Sequence, residues 1–286
     1  MAVAASSRLR ARSVSDRDEI AAFLRRDRIY AAYALGDLDG PNRSRVAWAM
    51  AHDDSGSAIA LAMHHEGLVP QPLFLMGAPD GCRAILDSVI KPRDAYLQAT
   101  ELHEAALRDL YELDAPVVML RMAVERGSFA PFAGPAERLT ALDVDDLNRL
   151  YQLGYRAGFP ASVVEDGVYY GVRVRGRLVS AAGTHAINPR EEIAVVGNVM
   201  THVDFRGHDF AKMVTSAVTA ELLDRATDVA LNVHADNEPA VAAYARLGYR
   251  THCQLIERLA RRRAGGWGLM RPIREAMRFS WPREQK

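Results

Sequence analysis

The sequence predicts an α/β fold, α+β in style with a mixed sheet, made of two successive copies of one unit. Three observations carry this. The chain has 286 residues, 49% of them hydrophobic, which is too long for most single compact units and enough to bury two cores. Before Gly127 the periodic segments read helix, hairpin, strand, helix, strand, helix, strand, and after Pro135 a similar order begins again. Between them Gly127, Pro131, Gly134 and Pro135 cluster, as expected of a boundary. The expected units are 1–130 and 136–262, followed by a basic tail over 263–286.

In the first unit, Leu9, Ala11 and Ser13 alternate like a strand, and Ser15-Asp16 caps a helix through Ile20, Phe23 and Leu24. The apolar runs 47–50 and 59–63, joined by Asp53, Asp54, Ser55 and Gly56, form a hairpin. Strands are expected at 73–76, 95–98 and 117–122, and helices at 81–90 and 104–113. In the second unit a helix covers 140–153 with Asp143 as its cap. A hairpin turns at Arg175-Gly176 between 169–174 and 178–187. Strand 193–201, helix 210–225, strand 229–235, helix 238–247 and strand 249–259 complete it.

Composition removes several function classes. The 36 basic and 36 acidic residues balance, so no global field points to nucleic acid, a membrane surface or a polyanion. Cys82 and Cys253 provide neither a disulfide framework nor a zinc spacing, and no metal is expected. A cytoplasmic setting is the expectation. No segment reaches the roughly 18 apolar residues of a membrane helix. Trp267, Met270, Ile273, Met277, Phe279 and Trp281 interleave with basic residues in the tail, which reads as a docked helix or as a surface for RNA or anionic lipid.

The informative stretch runs from Gly197 to Arg250. Strand 193–201 leads through Arg206-Gly207-His208-Asp209-Phe210-Ala211 into a helix with an apolar face at Phe210, Met213, Val214, Ala217, Val218 and Leu222. A strand entering a glycine-bearing turn that opens a helix presents free N–H groups and the positive end of the helix dipole, a phosphate cradle. The GxxxxGK[ST] and GxGxxG patterns of nucleotide loops are absent. Farther on, Asn237 caps a helix that accepts Pro239 in its first turn, and Gly248 ends it. Val241, Tyr244 and Leu247 share the face turned to the sheet.

The strand, Arg-Gly turn and helix, then Asn-x-x-Ala-x-x-x-Tyr-x-x-x-Gly-Tyr, resemble the acetyl-CoA-binding half of the GNAT superfamily, over about 169–250. The resemblance implies a GNAT fold, two tandem GNAT-like domains with the N-terminal one degenerate, and an N-acyltransferase using acetyl-CoA or another acyl-CoA. It implies that Arg206, Gly207, His208, Asp209, Phe210 and Ala211 hold the CoA pyrophosphate. Val199 and Met200 would hold the pantetheine arm and acyl carbonyl, Asn237 would lie near the pantetheine, and Tyr244 would protonate the departing thiolate. The acceptor would be the amine of a small molecule or amino acid held between the halves. Acceptor identity, acyl length and oligomeric state, a homodimer included, stay open.

The loop departs from the family's Arg/Gln-x-x-Gly-x-Gly/Ala pattern in placing Asp209 at the first glycine. A carboxylate about 6 Å from a phosphate charge, at an effective dielectric near 20, costs roughly 3 kcal/mol, on the order of a hundredfold in affinity. A GNAT fold that binds CoA as a sensor without turnover is therefore the alternative. Tyr244 also reads as a core aromatic, although Asn237 and Gly248 in register favour the acid, and Glu165, His185, His202 and His234 are the open candidates for a base. Phe159, Tyr169 and Tyr170 line a pocket or pack a core.

Overall fold

The computed structural model describes residues 9–40, 43–152 and 158–263; the expectations for residues 264–286 lie outside them. The first half comprises β1 (Arg10–Ser13), α1 (Arg17–Leu24), α2 (Ala32–Leu38), β2 (Val46–His52), β3 (Ala58–His65), β4 (Pro72–Gly77), α3 (Pro79–Ser88), β5 (Asp94–Ala99), α4 (Glu104–Arg108), β6 (Tyr111–Leu113) and β7 (Val117–Glu125). The second comprises β8 (Glu137–Arg138), α5 (Val144–Tyr151), α6 (Ala161–Asp166), β9 (Tyr169–Val174), β10 (Arg177–Asn188), β11 (Ile193–Thr201), α7 (Phe210–Leu223), β12 (Asp228–His234), α8 (Glu238–Arg246) and β13 (Arg250–Arg262).

Local chemistry sets most of these ends. The Asp16 carboxylate accepts from Glu19 N at 2.8 Å and opens α1. Arg175 and Gly176, both at positive φ, make the tight turn between β9 and β10. Before α5 the cap is a reciprocal pair and not Asp143 alone. Thr140 Oγ1 accepts from Leu142 N, and Asp143 Oδ2 accepts from Thr140 N at 2.9 Å. The helix expected over 104–113 stops at Arg108, because Tyr111 to Leu113 pair with β13 as a strand. Helices α2 and α6 were not anticipated.

Among the described residues all thirteen strands form one sheet, in the order β1-β2-β3-β4-β5-β13-β7-β12-β11-β10-β9-β8, with β6 also on β13. The halves exchange their closing strands. β7 of the first half lies between β12 and β13, and β13 of the second half lies between β5 and β7. Alternation along β11 then separates two cores. Ile193 and Val195 join the core under α1 and α2, whereas Ala194 and Val196 join the core under α7. Val214, Val218 and Leu222 of α7 are fully buried there, each contributing about 1.5–3 kcal/mol of apolar burial.

Helix α2 crosses from its own half onto the second. A Cβ at Gly36 would stand 2.4 Å from Ala186 Cβ, so glycine is what lets this helix approach β10 so closely. Asn188 Nδ2 donates to Leu35 O at 2.7 Å. Alongside, Arg17 and Arg25 of the α1 region both pair with the buried carboxylate of Glu191. These contacts set the first half's helices over β10 and β11.

Candidate functional site

Strands β11 and β12 run parallel and pair only over Ile193 to Val196 against Asp228 to Leu231. Beyond Val196 no register joins them, and Gly197 to Thr201 are half-buried. On its other side β11 carries a bulge: Gly197 faces Gly183 and Met200 faces Ala181, leaving Asn198 and Val199 opposite one residue of β10. Asn198 sits at φ +55°, its side-chain Nδ2 donates to Tyr169 Oη at 3.0 Å, and its carbonyl accepts from Tyr151 Oη at 2.6 Å. Val199 and Met200 thus occupy a strand end that is bulged on one side and splayed on the other. Tyr169, one of the pocket-or-core aromatics, is fully buried and anchors the bulge.

From this strand the chain turns at His202, whose Nδ1 accepts from Asp204 N at 3.3 Å, and reaches the exposed run 206–209. Asp209 is left-handed, φ +61°, the conformation in which glycine is best suited and Asp is among the better-tolerated substitutes. Its carboxylate does not cap α7. It pairs with Lys212 Nζ at 3.0 Å, and that nearly buried ammonium also lies 3.9 Å from the centre of the Phe132 ring. The negative charge in the loop is therefore engaged by a cation three residues on. His208 stacks on Phe210, and its Nδ1 is 2.9 Å from Arg206 O. The first-turn amides of Phe210, Ala211 and Lys212 have no helical acceptor, and the dipole of a 14-residue helix ends beside them. An exposed Arg206 completes a surface suited to an anion.

Asn237 caps α8, its Oδ1 accepting from Ala240 N at 3.2 Å. Gly248, at φ +94°, closes the helix where a Cβ would meet Ser128 O at 2.0 Å. Tyr244 projects inward, 7% exposed, into the core that holds Leu231 and Val233 of the splayed β12. Its ring centre lies 6.1 Å from that of Tyr249, whose hydroxyl shares a 2.7 Å hydrogen bond with Thr219.

The candidate bases separate. Glu165 is exposed on α6, and His202 is buried and serves the turn. His234 ends β12 and has its own interactions. His185 sits in an irregularity of β10, within 3.1 Å of where a Cβ on Gly197 would be, beside the point where β12 leaves β11. Its ring is open to solvent yet closely surrounded by protein. Burial, with help from the Arg121 charge, lowers its pKa to about 4, so the imidazole is neutral at physiological pH.

Several polar residues here went unread in the sequence, because they lie on α2 and β7. Tyr33 packs on His185 with ring centres 4.6 Å apart, and the Arg121 guanidinium lies 4.7 Å from the Tyr33 ring centre. Arg121 is fully buried. It donates through Nε to Asn232 Oδ1 at 2.9 Å and through its terminal nitrogen to Tyr30 O. Asn232 in turn donates to Glu257, which also accepts from Tyr96 Oη at 2.7 Å and Gln98. A polar seam thus runs from β10 to β5 under α2, across the splay. No local signal marks it, although the spacing of Asp209 and Lys212 was there to be read.

Residues 169–258 match the family described as FR47-like protein. No curated protein matches the chain. Solved structures match across both halves. A putative GNAT-family acetyltransferase from Novosphingobium aromaticivorans aligns at 20% identity, covering 83% of this chain and 100% of that one, with a TM-score of 0.57. A GCN5-related N-acetyltransferase from Kribbella flavida aligns at 18% identity over 83% and 95%, TM-score 0.57. A tandem GNAT protein from the clavulanic acid biosynthesis pathway aligns at 12% identity over 89% and 98%, TM-score 0.53. No helix among the described residues is long and apolar enough to cross a membrane. The chain has the fold of these GNAT structures, in two halves, and its residues 169–258 match the FR47-like family.

Proposed function

We propose that this protein transfers an acyl group from acetyl-CoA, or a related acyl-CoA, to the amine of a small molecule or amino acid. The observation that carries the reading is the splayed, bulged end of β11 running into an exposed turn that opens α7. Arg206, Gly207, His208 and the amides of Asp209, Phe210 and Ala211 hold the pyrophosphate. Lys212 neutralises Asp209, which removes the main objection to an anion at this loop. Backbone groups of Val199 and Met200 hold the pantetheine arm and the acyl carbonyl. Asn237 fixes the start of α8 beside the arm, and Tyr244 gives its proton to the departing thiolate. Positioning the amine against the thioester supplies much of the acceleration, and no covalent enzyme intermediate is needed.

The test is thiol release from acetyl-CoA in the presence of primary amines and amino acids, with the acetylated product identified by mass. Transfer is expected, and Tyr244→Phe should lower turnover at least tenfold while leaving acetyl-CoA affinity within about twofold. Tight acetyl-CoA binding with no transfer to any amine would favour the sensor reading instead.

A further inference from the structure

Asn232 is the first residue of β12 beyond its pairing with β11, which ends at Leu231. Its side chain is held at both ends. Oδ1 accepts from Arg121 Nε at 2.9 Å, and Nδ2 donates to Glu257 Oε1 at 3.2 Å. Arg121 lies on β7 and Glu257 on β13, and in the sheet both strands stand on the side of β12 away from β11. The contacts therefore draw Asn232 away from the splay. Arg121 is fully buried and Glu257 is 5% exposed, and among the described residues no ion pair joins them directly. Asn232 is the bridge between the two charges.

Neither charge is free to leave that bridge. The bond to Asn232 is the one side-chain hydrogen bond that Arg121 makes among the described residues; Nη1 donates to the backbone at Ile29 and Tyr30, and Nη2 has no partner. Glu257 also accepts from Tyr96 Oη at 2.7 Å and Gln98 Nε2 at 3.1 Å, which tie it to β5. Moving Asn232 toward β11 would leave a buried cation and a buried carboxylate each short of a hydrogen bond, so β12 stays with β7. On the opposite face Leu231 and Val233 pack in the core with Tyr244, which fixes the strand from both sides at this point. The facing strand has a separate anchor. Asn198 of β11 is bound by Tyr151 of α5 and Tyr169 of β9, both of the second half.

We propose that Asn232 is a positioning residue for the acyl-CoA arm: clamped by Arg121 and Glu257, it holds β12 off β11 and keeps open the gap that the pantetheine enters. This rests on the acyl-transfer reading above and adds that a strand of the first half, β7, helps to set the width of the site in the second. No proton or covalent bond changes at Asn232; its part is to hold a distance.

Calorimetric titration of the full-length protein with two ligands tests this: acetyl-CoA, and 3′-phospho-ADP, the portion of CoA without the pantetheine arm. Asn232→Ala, which removes both contacts, should weaken acetyl-CoA at least about tenfold and leave 3′-phospho-ADP within about twofold of wild type. Combining Asn232→Asp with Glu257→Gln moves the carboxylate from β13 to β12. Arg121 then still has its acceptor, and the new amide donates across the bridge once the Gln98 amide turns to accept. This variant should recover acetyl-CoA affinity to within about threefold of wild type. Equal weakening of both ligands in Asn232→Ala would mark a merely structural role and overturn the proposal. So would unchanged acetyl-CoA binding in Asn232→Ala, or a combined variant that melts cooperatively yet does not recover the affinity. A wild type that does not bind acetyl-CoA would sink the acyl-transfer reading, and this inference with it.

Discussion

The second half's β11, β12 and α7 have a counterpart in β4, β5 and α3 of the first, and the two places share geometry without sharing chemistry. Both are parallel pairs that separate after a few residues, β4 and β5 pairing only over Pro72 to Phe74 against Tyr96 to Gln98. After β11 an exposed loop opens α7 with amides to spare. After β4 the chain enters α3 almost at once. Pro79 in the first turn removes a donor, and Asp80 beside it puts negative charge where phosphate would sit. His103 bridges the separated strands, its Nε2 3.0 Å from Gly77 O. Counted from the caps Thr100 and Asn237, the seventh residue is Leu107 in one half and Tyr244 in the other. The scaffold persists in both halves, while a proline, an aspartate, a histidine bridge and a leucine at the position of Tyr244 distinguish the first half from the second.

The largest expected effect tests whether the halves are separable at all. With β7 and β13 exchanged, fragments 1–130 and 136–286 each lack a central strand of their sheet. Neither should fold alone, and mixing them should restore a cooperative thermal transition. A single fragment that melts cooperatively as a monomer would contradict the exchange. Next comes the end of α8. Gly248→Ala adds a methyl against Ser128 O at positive φ and should cost on the order of 2–4 kcal/mol by urea denaturation. Gly56→Ala, also at positive φ but in open space, should cost about 1 kcal/mol. Equal losses would mean that the α8 end relaxes freely.

Two closely surrounded titrating groups follow, both in the region where the halves meet. The Asp37 pKa is raised, so its ionisation opposes folding: the penalty is absent below about pH 4, grows as pH rises through about 6, and is then constant. Asp37→Asn should therefore stabilise at pH 8 by up to about 3 kcal/mol and change nothing near pH 3.5, as read from melting temperatures. His185 acts oppositely. Its lowered pKa gives stability that is full above its ordinary pKa and is lost as pH falls toward 4, a loss His185→Gln should remove. The smallest effect is at Asp209. Asp209→Gly relieves a left-handed residue, about 1 kcal/mol, and both it and Asp209→Asn free Lys212, so either should tighten CoA binding several-fold. Weaker binding in Asp209→Asn would show that the carboxylate helps to order the loop.

What the sequence made legible was local. Strand β11 was bounded correctly because alternation, a glycine and a following turn all lie within it, and α8 because its cap, its proline and its closing glycine are encoded side by side. Helix α2 escaped because Ala31, Ala32, Ala34 and Gly36 give it no polar contrast. Small residues there serve close contact with α1 and β10 and leave no amphipathic period to detect. The overrun of α4 into β6 and the exchange of β7 with β13 have a common cause. Both are decided by pairing with strands distant along the chain, which no window of sequence reports. The site divided in the same way. The loop 206–211 and Tyr244 stand in contiguous motifs, whereas Tyr33 and Arg121 reach His185 beside the splay only through packing of the first half on the second.

The central claim is that one of the two splayed strand pairs, and only that of the second half, takes acyl-CoA. Calorimetric titration with acetyl-CoA measures it most directly, on the wild type and on one variant at each helix start. The account predicts one molecule bound per chain, at least tenfold weaker binding in Gly207→Pro, whose fixed negative φ cannot adopt the positive φ of this turn, and unchanged binding in Asp80→Ala of the first half. Two molecules per chain, or binding that survives Gly207→Pro but changes with Asp80→Ala, would contradict it.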